Sequence, residues 1–334
     1  MSQHHPATTA LEQQIRSQPS ELERMVRASE QQIRDAVEGL KRSRRIWLVG
    51  TGTSQHAAEL GVAMFHEAGR AAQAIPSMHF VEWAPVVGPQ DGVIIISHTG
   101  ETAYALSGRA QAVLAGLSVF SITRRGLGLP HTVETTEKET AETYTVSYTT
   151  ALMVLARIAH GLGAESFAPE TLARVPSAVQ WATDAHGTDA IPIPPRLLVI
   201  FGAGPASVTA REGALKVREA SRFPAEGYDS EYLLHGSAVP LTAQDHLVAL
   251  TTPDPSGFTE AVAHAAQVEG IGVTRVAETA DLPPVLAQIP LTVRLQQLAL
   301  RFALARAQNP DVVITGAWAD PNLWTIGSPG QNQY

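Results

Sequence analysis

The chain has 334 residues, no cysteine, and a formal net charge of −8 at pH 7 from 24 basic and 32 acidic side chains. The lack of cysteine excludes disulfides, cysteine-ligated metal sites and a thiolate nucleophile within this chain. An acidic balance provides no general attraction to nucleic acid or to an anionic membrane, so we expect neither as a partner. Hydrophobic residues make up 44% of the sequence, which is enough for a packed core, and the length suits two domains.

The sequence also bears on location and cofactors. Residues 1–18 are polar without the apolar core of a signal peptide, and no apolar run approaches the roughly 20 residues of a membrane helix. We therefore expect a cytoplasmic protein. We predict neither a metal nor a cofactor.

Helical and strand patterns alternate along the first half of the chain. Strands that are apolar throughout and alternate with helices indicate a parallel sheet covered on both faces. The predicted elements, in order, are a helical region at 11–43, a strand at 46–49, a helix at 55–67, a strand at 93–96, a helix at 104–114 and a strand at 118–122.

The same order restarts in the second half. A strand at 196–201 leads into the glycine turn 202–207, as 46–49 leads into 50–54, with an offset of 152 residues between the glycines. The segment 91–97 matches 245–251 at an offset of 154. The near-equal offsets predict a tandem duplication of one α/β domain, which gives two doubly wound parallel sheets in three-layer αβα sandwiches.

The second half ends with a predicted strand at 291–293 and a helix at 296–307. The tail beyond Asn309 is rich in glycine, proline and tryptophan, and we expect it either to close over a pocket as a lid or to pack on the surface. The predicted domains are an N-terminal tail with helices (1–44), a first domain (45–163), a connecting segment (164–195), a second domain (196–308) and the C-terminal tail (309–334).

A glycine turn with hydroxyl side chains follows the first strand, at Gly52, Thr53 and Ser54. It begins like a dinucleotide-binding turn, but Gln55 replaces the third glycine and no acidic residue ends a second strand about 20 residues later. Free amides at a helix N-terminus favour an anion, so the hydroxyls suit phosphate. Simple capping of the helix is the structural alternative.

A second polar turn strengthens the phosphate hypothesis. Ser97, His98, Thr99 and Thr102 follow the next buried strand and again open a helix. Carboxyl ends of parallel strands are where such sheets bind ligands. The equivalent turn of the second half, 251–254, contains a proline and an aspartate, which disfavour an anion, so only the first half is predicted to bind phosphate.

Candidate acid–base groups lie in the second half. Glu212, Lys216 and Glu219 are spaced to share one face of a helix, and His235 follows sixteen residues after Glu219. The structural alternative is a solvated face of ion pairs, which is common and contributes little. A histidine with an ordinary pKa near 6.5 suits proton transfer at neutral pH.

These motifs together resemble the tandem sugar isomerase (SIS) domain family, which includes the isomerase half of glucosamine-6-phosphate synthase and stand-alone aminosugar-phosphate deaminases. The resemblance extends from the N-terminal helix to the tail. It is carried in order by residues 11–19, 52–54, 97–102, 148–150, 212–219 and 234–236.

The resemblance implies a role for each motif. Ser54 and the second turn would hold the sugar phosphate, together with Gly52 and Thr53. Glu219 would move a proton between C1 and C2, Lys216 would polarise the adjacent oxygen, and His235 would open the ring. In the synthases this histidine reaches the neighbouring subunit's site, so a homodimer with shared active sites is implied.

The sequence departs from the family pattern at several positions. His98 stands where many members have glutamine or arginine, and Val146 replaces a lysine that is common before the 148–150 motif. No lysine follows Lys216, whereas the synthases form an imine with a lysine near the C-terminus. Different alignments place Trp318 or Thr325 at that position, and neither side chain forms an imine.

The leading hypothesis is an isomerising glucosamine-6-phosphate deaminase that releases ammonia and fructose 6-phosphate. We expect no N-terminal glutaminase domain, and the chain has no cysteine to act as the nucleophile of one. The alternatives are a fructosamine-6-phosphate deglycase, an aldose–ketose phosphosugar isomerase, or a non-catalytic phosphosugar sensor.

Overall fold

The computed structural model describes residues 8–83 and 86–329. Parts of the predicted tails, residues 1–7 and 330–334, lie outside these described residues. The described chain is an α/β structure with two parallel sheets. The first has the order β2-β1-β3-β4-β5 and consists of β1 (Arg45–Gly50), β2 (Ala72–Pro76), β3 (Asp91–Ile96), β4 (Ser118–Thr123) and β5 (Thr132–Glu134).

The second sheet has four strands in the order β7-β6-β8-β9. All of its pairs are parallel, and its first three strands repeat the order of β2, β1 and β3. Its strands are β6 (Leu198–Gly202), β7 (Ala225–Asp229), β8 (His246–Thr251) and β9 (Gly272–Ala277).

Helices cover and connect the sheets. The N-terminal region forms two helices rather than one, because the chain turns through a left-handed residue at Ser29. The helices are α1 (Ala10–Met25), α2 (Glu30–Leu40), α3 (Thr53–Glu67), α4 (Ser77–Glu82), α5 (Ala103–Leu114), α6 (Val146–Gly161), α7 (Pro169–Leu172), α8 (Val175–Asp184), α9 (Pro205–Ser221), α10 (Ser230–Tyr232), α11 (Phe258–Val268), α12 (Gln288–Ala305) and α13 (Pro321–Thr325).

One hydrophobic core extends across both sheets. Leu48 of β1, Leu155 of α6, Ile200 of β6 and Leu295 of α12 are all fully buried in the same cluster. Helix α9 packs against both α3 and α12, so the second half contacts the first through helices. The position of α9 relative to the first sheet is therefore set by shared packing.

The predicted strand at 291–293 is wrong. Leu291, Thr292 and Val293 lie inside α12 and are fully buried. A helix surrounded by protein has no polar face, so its sequence lacks the 3.6-residue alternation that identifies helices, and a short apolar run is compatible with either structure.

The two glycine turns have the same backbone conformation. Gly52 and Gly204 both have φ 55° and ψ −129°, and each immediately precedes a helix, α3 or α9. A positive φ of this kind is readily adopted only by glycine. The first turn lies where strand order reverses, between β1 and β3, which is the ligand-binding position of a doubly wound sheet.

Replacing Gly227 by alanine should destabilise the fold by about 3 kcal/mol, because the new Cβ would lie 2.5 Å from the Ala210 oxygen and the Arg211 nitrogen of α9. Urea unfolding measures this loss. Gly88→Ala is the matched control, since its Cβ would come no closer than 4.0 Å to Asp91. Equal midpoints for the two variants would contradict the close packing of β7 on α9.

Candidate active site

A cavity of about 680 Å³ opens at the carboxyl ends of β1 and β3. A more open groove of about 1060 Å³ lies between α2, α6 and α7, but it contains none of the predicted site residues. Seven of the ten predicted site residues line the smaller cavity: Gly52, Thr53, Ser54, His98, Thr99, Thr102 and Glu219.

The remaining three predicted residues occupy different places. Ser97 is buried, and its hydroxyl donates to the Thr102 hydroxyl at 3.3 Å. Lys216 is fully buried beside Glu219, beneath the cavity wall. His235 is exposed on the irregular π-type turn after α10 and does not line the cavity of this chain.

The hydroxyl side chains of the two turns do not cap the helices that follow. Within the described chain, neither α3 nor α5 has a side-chain cap at its N-cap residue, Gly52 or Thr102. The Thr53 hydroxyl donates instead to Glu212 at 3.2 Å, and the Thr99 hydroxyl accepts from the Glu101 amide at 3.1 Å. At the start of α3 the Ser54 and Gln55 amides donate to the Thr51 and Gly52 carbonyls, so the start of α5 is the helix N-terminus of this cavity that better suits an anion.

The corresponding turn in the second half is occupied by its own carboxylate. Asp254 accepts from the amides of Ser256 and Thr259, each at 3.0 Å, at the start of α11. Hydrogen bonds from the Ser256 hydroxyl and these amides lower the pKa of Asp254 to about 2. Aspartate therefore takes the place that an anionic ligand would occupy.

His98 is a neutral hydrogen-bond donor. Its Nε2 accepts from the Glu139 amide at 3.1 Å, which assigns the proton to Nδ1. Burial, and then the positive charges of Arg124 and Lys138, lower the pKa of His98 to about 4. Nδ1 is buried and has no hydrogen-bond partner among the described residues, so it is available to a phosphate oxygen.

Four charged or titratable side chains form one buried network between α3 and α9. His56 Nδ1 lies 2.6 Å from Glu212 Oε2, and Glu212 Oε1 lies 3.5 Å from Lys216 Nζ. Lys216 Nζ donates to Glu219 Oε2 at 2.5 Å. Glu212 and Lys216 are fully buried, whereas the Glu219 side chain remains 21% exposed and lines the cavity.

The network gives its two carboxylates opposite titration behaviour. Burial alone would raise the pKa of Glu212, but Lys216, His56 and Thr53 outweigh it and hold that pKa below its ordinary value. Burial raises the pKa of Glu219, Glu212 adds to the increase, and Lys216 opposes it without cancelling it. Two nearby carboxyl groups with pKa values pushed apart are typical of acid–base sites.

Lys216 stays protonated in this setting. Burial favours the neutral amine, yet Glu212 and Glu219 outweigh burial and raise the pKa of Lys216. An unpaired buried ammonium would be strongly destabilising, so a lysine at this position needs carboxylate partners, which Glu212 and Glu219 supply.

Sequence inspection missed His56 and Tyr144. His56 lies three residues after Thr53, so both point toward Glu212 from one face of α3, a spacing that was visible in the sequence. Tyr144 lines the cavity with its ring edge-on to His98 at 5.6 Å. It precedes α6 in an irregular segment, for which the sequence has no periodic signal.

The C-terminal tail crosses the cavity. Asp311 accepts from the amides of Ala10 and Leu11 at the near end, and the Ser107 hydroxyl donates to the Gly327 carbonyl at 2.6 Å at the far end. Between these anchors, Trp324 lines the cavity. The predicted irregular tail therefore contains a short helix, α13, and forms part of the cavity wall.

Lowering the pH from 6.5 to about 4 should destabilise the wild type relative to His98→Gln. The folded state binds fewer protons than the unfolded state in this window, because folding lowers the pKa of His98 from 6.5 to about 4. The contribution of His98 to the free energy of unfolding is therefore fully present above pH 6.5 and is lost as the pH falls toward 4. Urea unfolding across this range measures the difference in unfolding free energy. A difference independent of pH would contradict a neutral buried histidine.

The described residues contain no helix with the length and apolar character needed to cross a membrane, and no cluster of three or more His, Asp or Glu side chains placed to hold a metal.

Residues 39–157 match the SIS domain family. The glutamine–fructose-6-phosphate aminotransferase (isomerizing) of Thermococcus kodakarensis is 27% identical over 340 residues, which cover 89% of this chain and 55% of that protein. The chain thus spans about half the length of this curated relative.

Two solved structures share the fold. Tagatose-6-phosphate ketose/aldose isomerase from Escherichia coli has a TM-score of 0.78 at 20% identity, covering 92% of this chain and 97% of that one. Glucosamine-6-phosphate deaminase from Thermotoga maritima has a TM-score of 0.75 at 18% identity, covering 91% and 97%. Residues 39–157 are thus a SIS domain, and the chain is homologous to the glutamine–fructose-6-phosphate aminotransferases over about half of their length.

Proposed function

We propose that this chain is a phosphosugar-processing enzyme that converts glucosamine 6-phosphate and water into fructose 6-phosphate and ammonia. One observation carries the proposal: Glu219, a carboxyl with a raised pKa, lines the same cavity as the polar turns 52–54 and 97–102. A carboxylate with an elevated pKa is suited to taking a proton from carbon at neutral pH and returning it.

The proposed reaction starts from the ring-opened aminosugar. Glu219 removes the proton on C2 while the C1 carbonyl oxygen takes up a proton, which gives an enolamine with a C1–C2 double bond. Glu219 then returns its proton to C1 while the C2 amine loses one, so C1 becomes a hydroxymethyl carbon and C2 an imine. Water adds to C2, the C2–N bond breaks, and ammonia leaves with the ketose. The Lys216 ammonium, 2.5 Å from the Glu219 carboxylate, stabilises negative charge that develops near the transferred proton.

The phosphate would bind at the two polar turns of the cavity wall. We assign Ser54, Thr99 and Thr102, the amides at the start of α5, and His98 Nδ1 as its donors. Ser97 does not line the cavity and would orient the Thr102 hydroxyl through its hydrogen bond to it. Binding the phosphate group at a distance from the reacting carbons supplies binding energy that orients C1 and C2 toward Glu219.

Aldose–ketose isomerisation of a 6-phosphosugar is the second candidate. The observation in its favour is that the same Glu219–Lys216 pair would carry out the same proton transfer on a substrate with a hydroxyl group at C2. A panel of 6-phosphosugars separates isomerisation, deamination and deglycation by their products. Saturable binding without any product would instead indicate a sensor.

We further propose a homodimer in which His235 enters the neighbouring subunit's cavity and opens the sugar ring. Its support is that His235 is exposed and does not line the cavity of its own chain. Large, exposed apolar side chains lie near His235 in the sequence: Tyr232 is 64% exposed, Leu234 53% and Val239 84%. Such a patch suits burial against a second copy.

We also propose that the two halves are tandem copies of one domain, 45–163 and 196–308, with the tail from residue 309 acting as a lid. The identical conformations of Gly52 and Gly204 support the repeat. Two equivalent ion pairs support it as well: Arg45 with Asp91 at the first residues of β1 and β3, and Arg196 with Asp245 just before β6 and β8. Trp324 in the cavity wall supports the lid.

Glu219→Gln should lower the rate of ammonia release from glucosamine 6-phosphate by about 10²-fold or more, because the amide cannot accept the C2 proton. Glu269→Gln, an exposed change of the same kind, should have no effect. An enzyme-coupled ammonia assay measures both variants. Equal loss in both, or full activity in Glu219→Gln, would contradict the assignment of the base.

Mixing Glu219→Gln with His235→Ala should restore about a quarter of wild-type activity, although each variant alone is inactive. Half of the randomly paired dimers are mixed, and each of these has one intact site made from both subunits. Assay of the co-expressed mixture measures this recovery, and the mixed dimer purified through two different tags should have about half of wild-type activity. Recovery of no activity would contradict a site shared between subunits.

A further inference from the structure

The polar turn 97–102 contains a carboxylate, Glu101, that lies between the cations Arg124 and Lys138. Glu101 lines the cavity, and its Oε1 lies 3.9 Å from Arg124 and 3.8 Å from Lys138. The Glu101 and Lys138 side chains are 62% and 55% exposed. Exposed pairs at such distances contribute little to stability, so this contact is easily exchanged.

Neither cation lines the cavity itself, but both lie within 4 Å of Glu101, which does. The charges of Arg124 and Lys138 contribute, after burial, to lowering the pKa of His98. The Arg124 backbone amide donates to the His98 carbonyl at 2.9 Å, so the loop after β4 is joined to the turn. Arg124 Nε is buried and has no hydrogen-bond partner among the described residues.

A phosphate ester is a stronger partner for these cations than Glu101. It carries about −1.5 to −2 charge at pH 7 and has three acceptor oxygens, whereas a carboxylate carries one negative charge. A phosphate seated at the start of α5 would lie beside Glu101, where the two anions repel each other. The cations would then be drawn to the phosphate.

We propose that Arg124 and Lys138 are phosphate-binding residues of this site, and that Glu101 forms ion pairs with them until the phosphate displaces it. This inference rests on the proposed phosphosugar function and adds to it a selection step. A neutral sugar cannot displace Glu101, so the site accepts sugars that carry a dianionic group. Binding also becomes sensitive to ionic strength, because exposed charges are screened by salt.

The test compares two carboxylates that are close in sequence and identical in charge. Glu101→Gln removes the competing anion, whereas Glu137→Gln removes an anion that pairs with Arg125 at 3.1 Å and does not line the cavity. Lys138→Gln removes one of the proposed ligands. Isothermal titration with fructose 6-phosphate and with fructose, at low and high salt, gives the dissociation constants.

We expect Glu101→Gln to bind fructose 6-phosphate about threefold more tightly, Lys138→Gln about threefold more weakly, and Glu137→Gln like the wild type. High salt should reduce the first two differences. Weaker or unchanged binding in Glu101→Gln would overturn the inference while leaving the proposed function intact. Failure of the wild type to bind any 6-phosphosugar would overturn both.

Discussion

The buried carboxylate of Glu212 is the interaction on which the rest of the site depends. It accepts from Thr53, contacts His56, and pairs with Lys216, so it connects helix α3 of the first half to helix α9 of the second. A buried carboxylate is tolerated only with several partners, and these come from two segments more than 150 residues apart. Its ionisation therefore requires that the two halves pack together, which also brings Glu219 to the cavity.

Burial has opposite consequences for two side chains that line the cavity, His98 and Glu219. Burial keeps His98 neutral with its free proton on Nδ1, a donor whose state does not change near neutral pH. Burial raises the pKa of Glu219, so its carboxylate is a better proton acceptor there than an exposed one. The neutral ring of His98 suits steady binding of an anion, and the raised pKa of Glu219 suits proton transfer. The same physical effect thus gives the cavity wall one neutral donor and one carboxyl group with a raised pKa.

The sequence predicted much of the fold because the strands are continuous apolar runs and the glycine turns mark their ends. It failed where a helix is buried on every side, as at 291–293, and where an edge strand is half-exposed, as in β2 and β7. The motifs identified seven residues of the cavity wall. The contacts of Glu212 with His56, and of Glu101 with Arg124 and Lys138, depend on how distant segments pack, so no local pattern reveals them.

The central claim is that Glu219 moves a proton between adjacent carbons of a bound 6-phosphosugar. Proton NMR of fructose 6-phosphate incubated with the protein in D₂O tests it most directly, because exchange at C1 requires this transfer and no amine. The account predicts that deuterium enters C1 with the wild-type protein and does not enter with Glu219→Gln. Saturable binding of fructose 6-phosphate to the wild type with no exchange at C1 would contradict it.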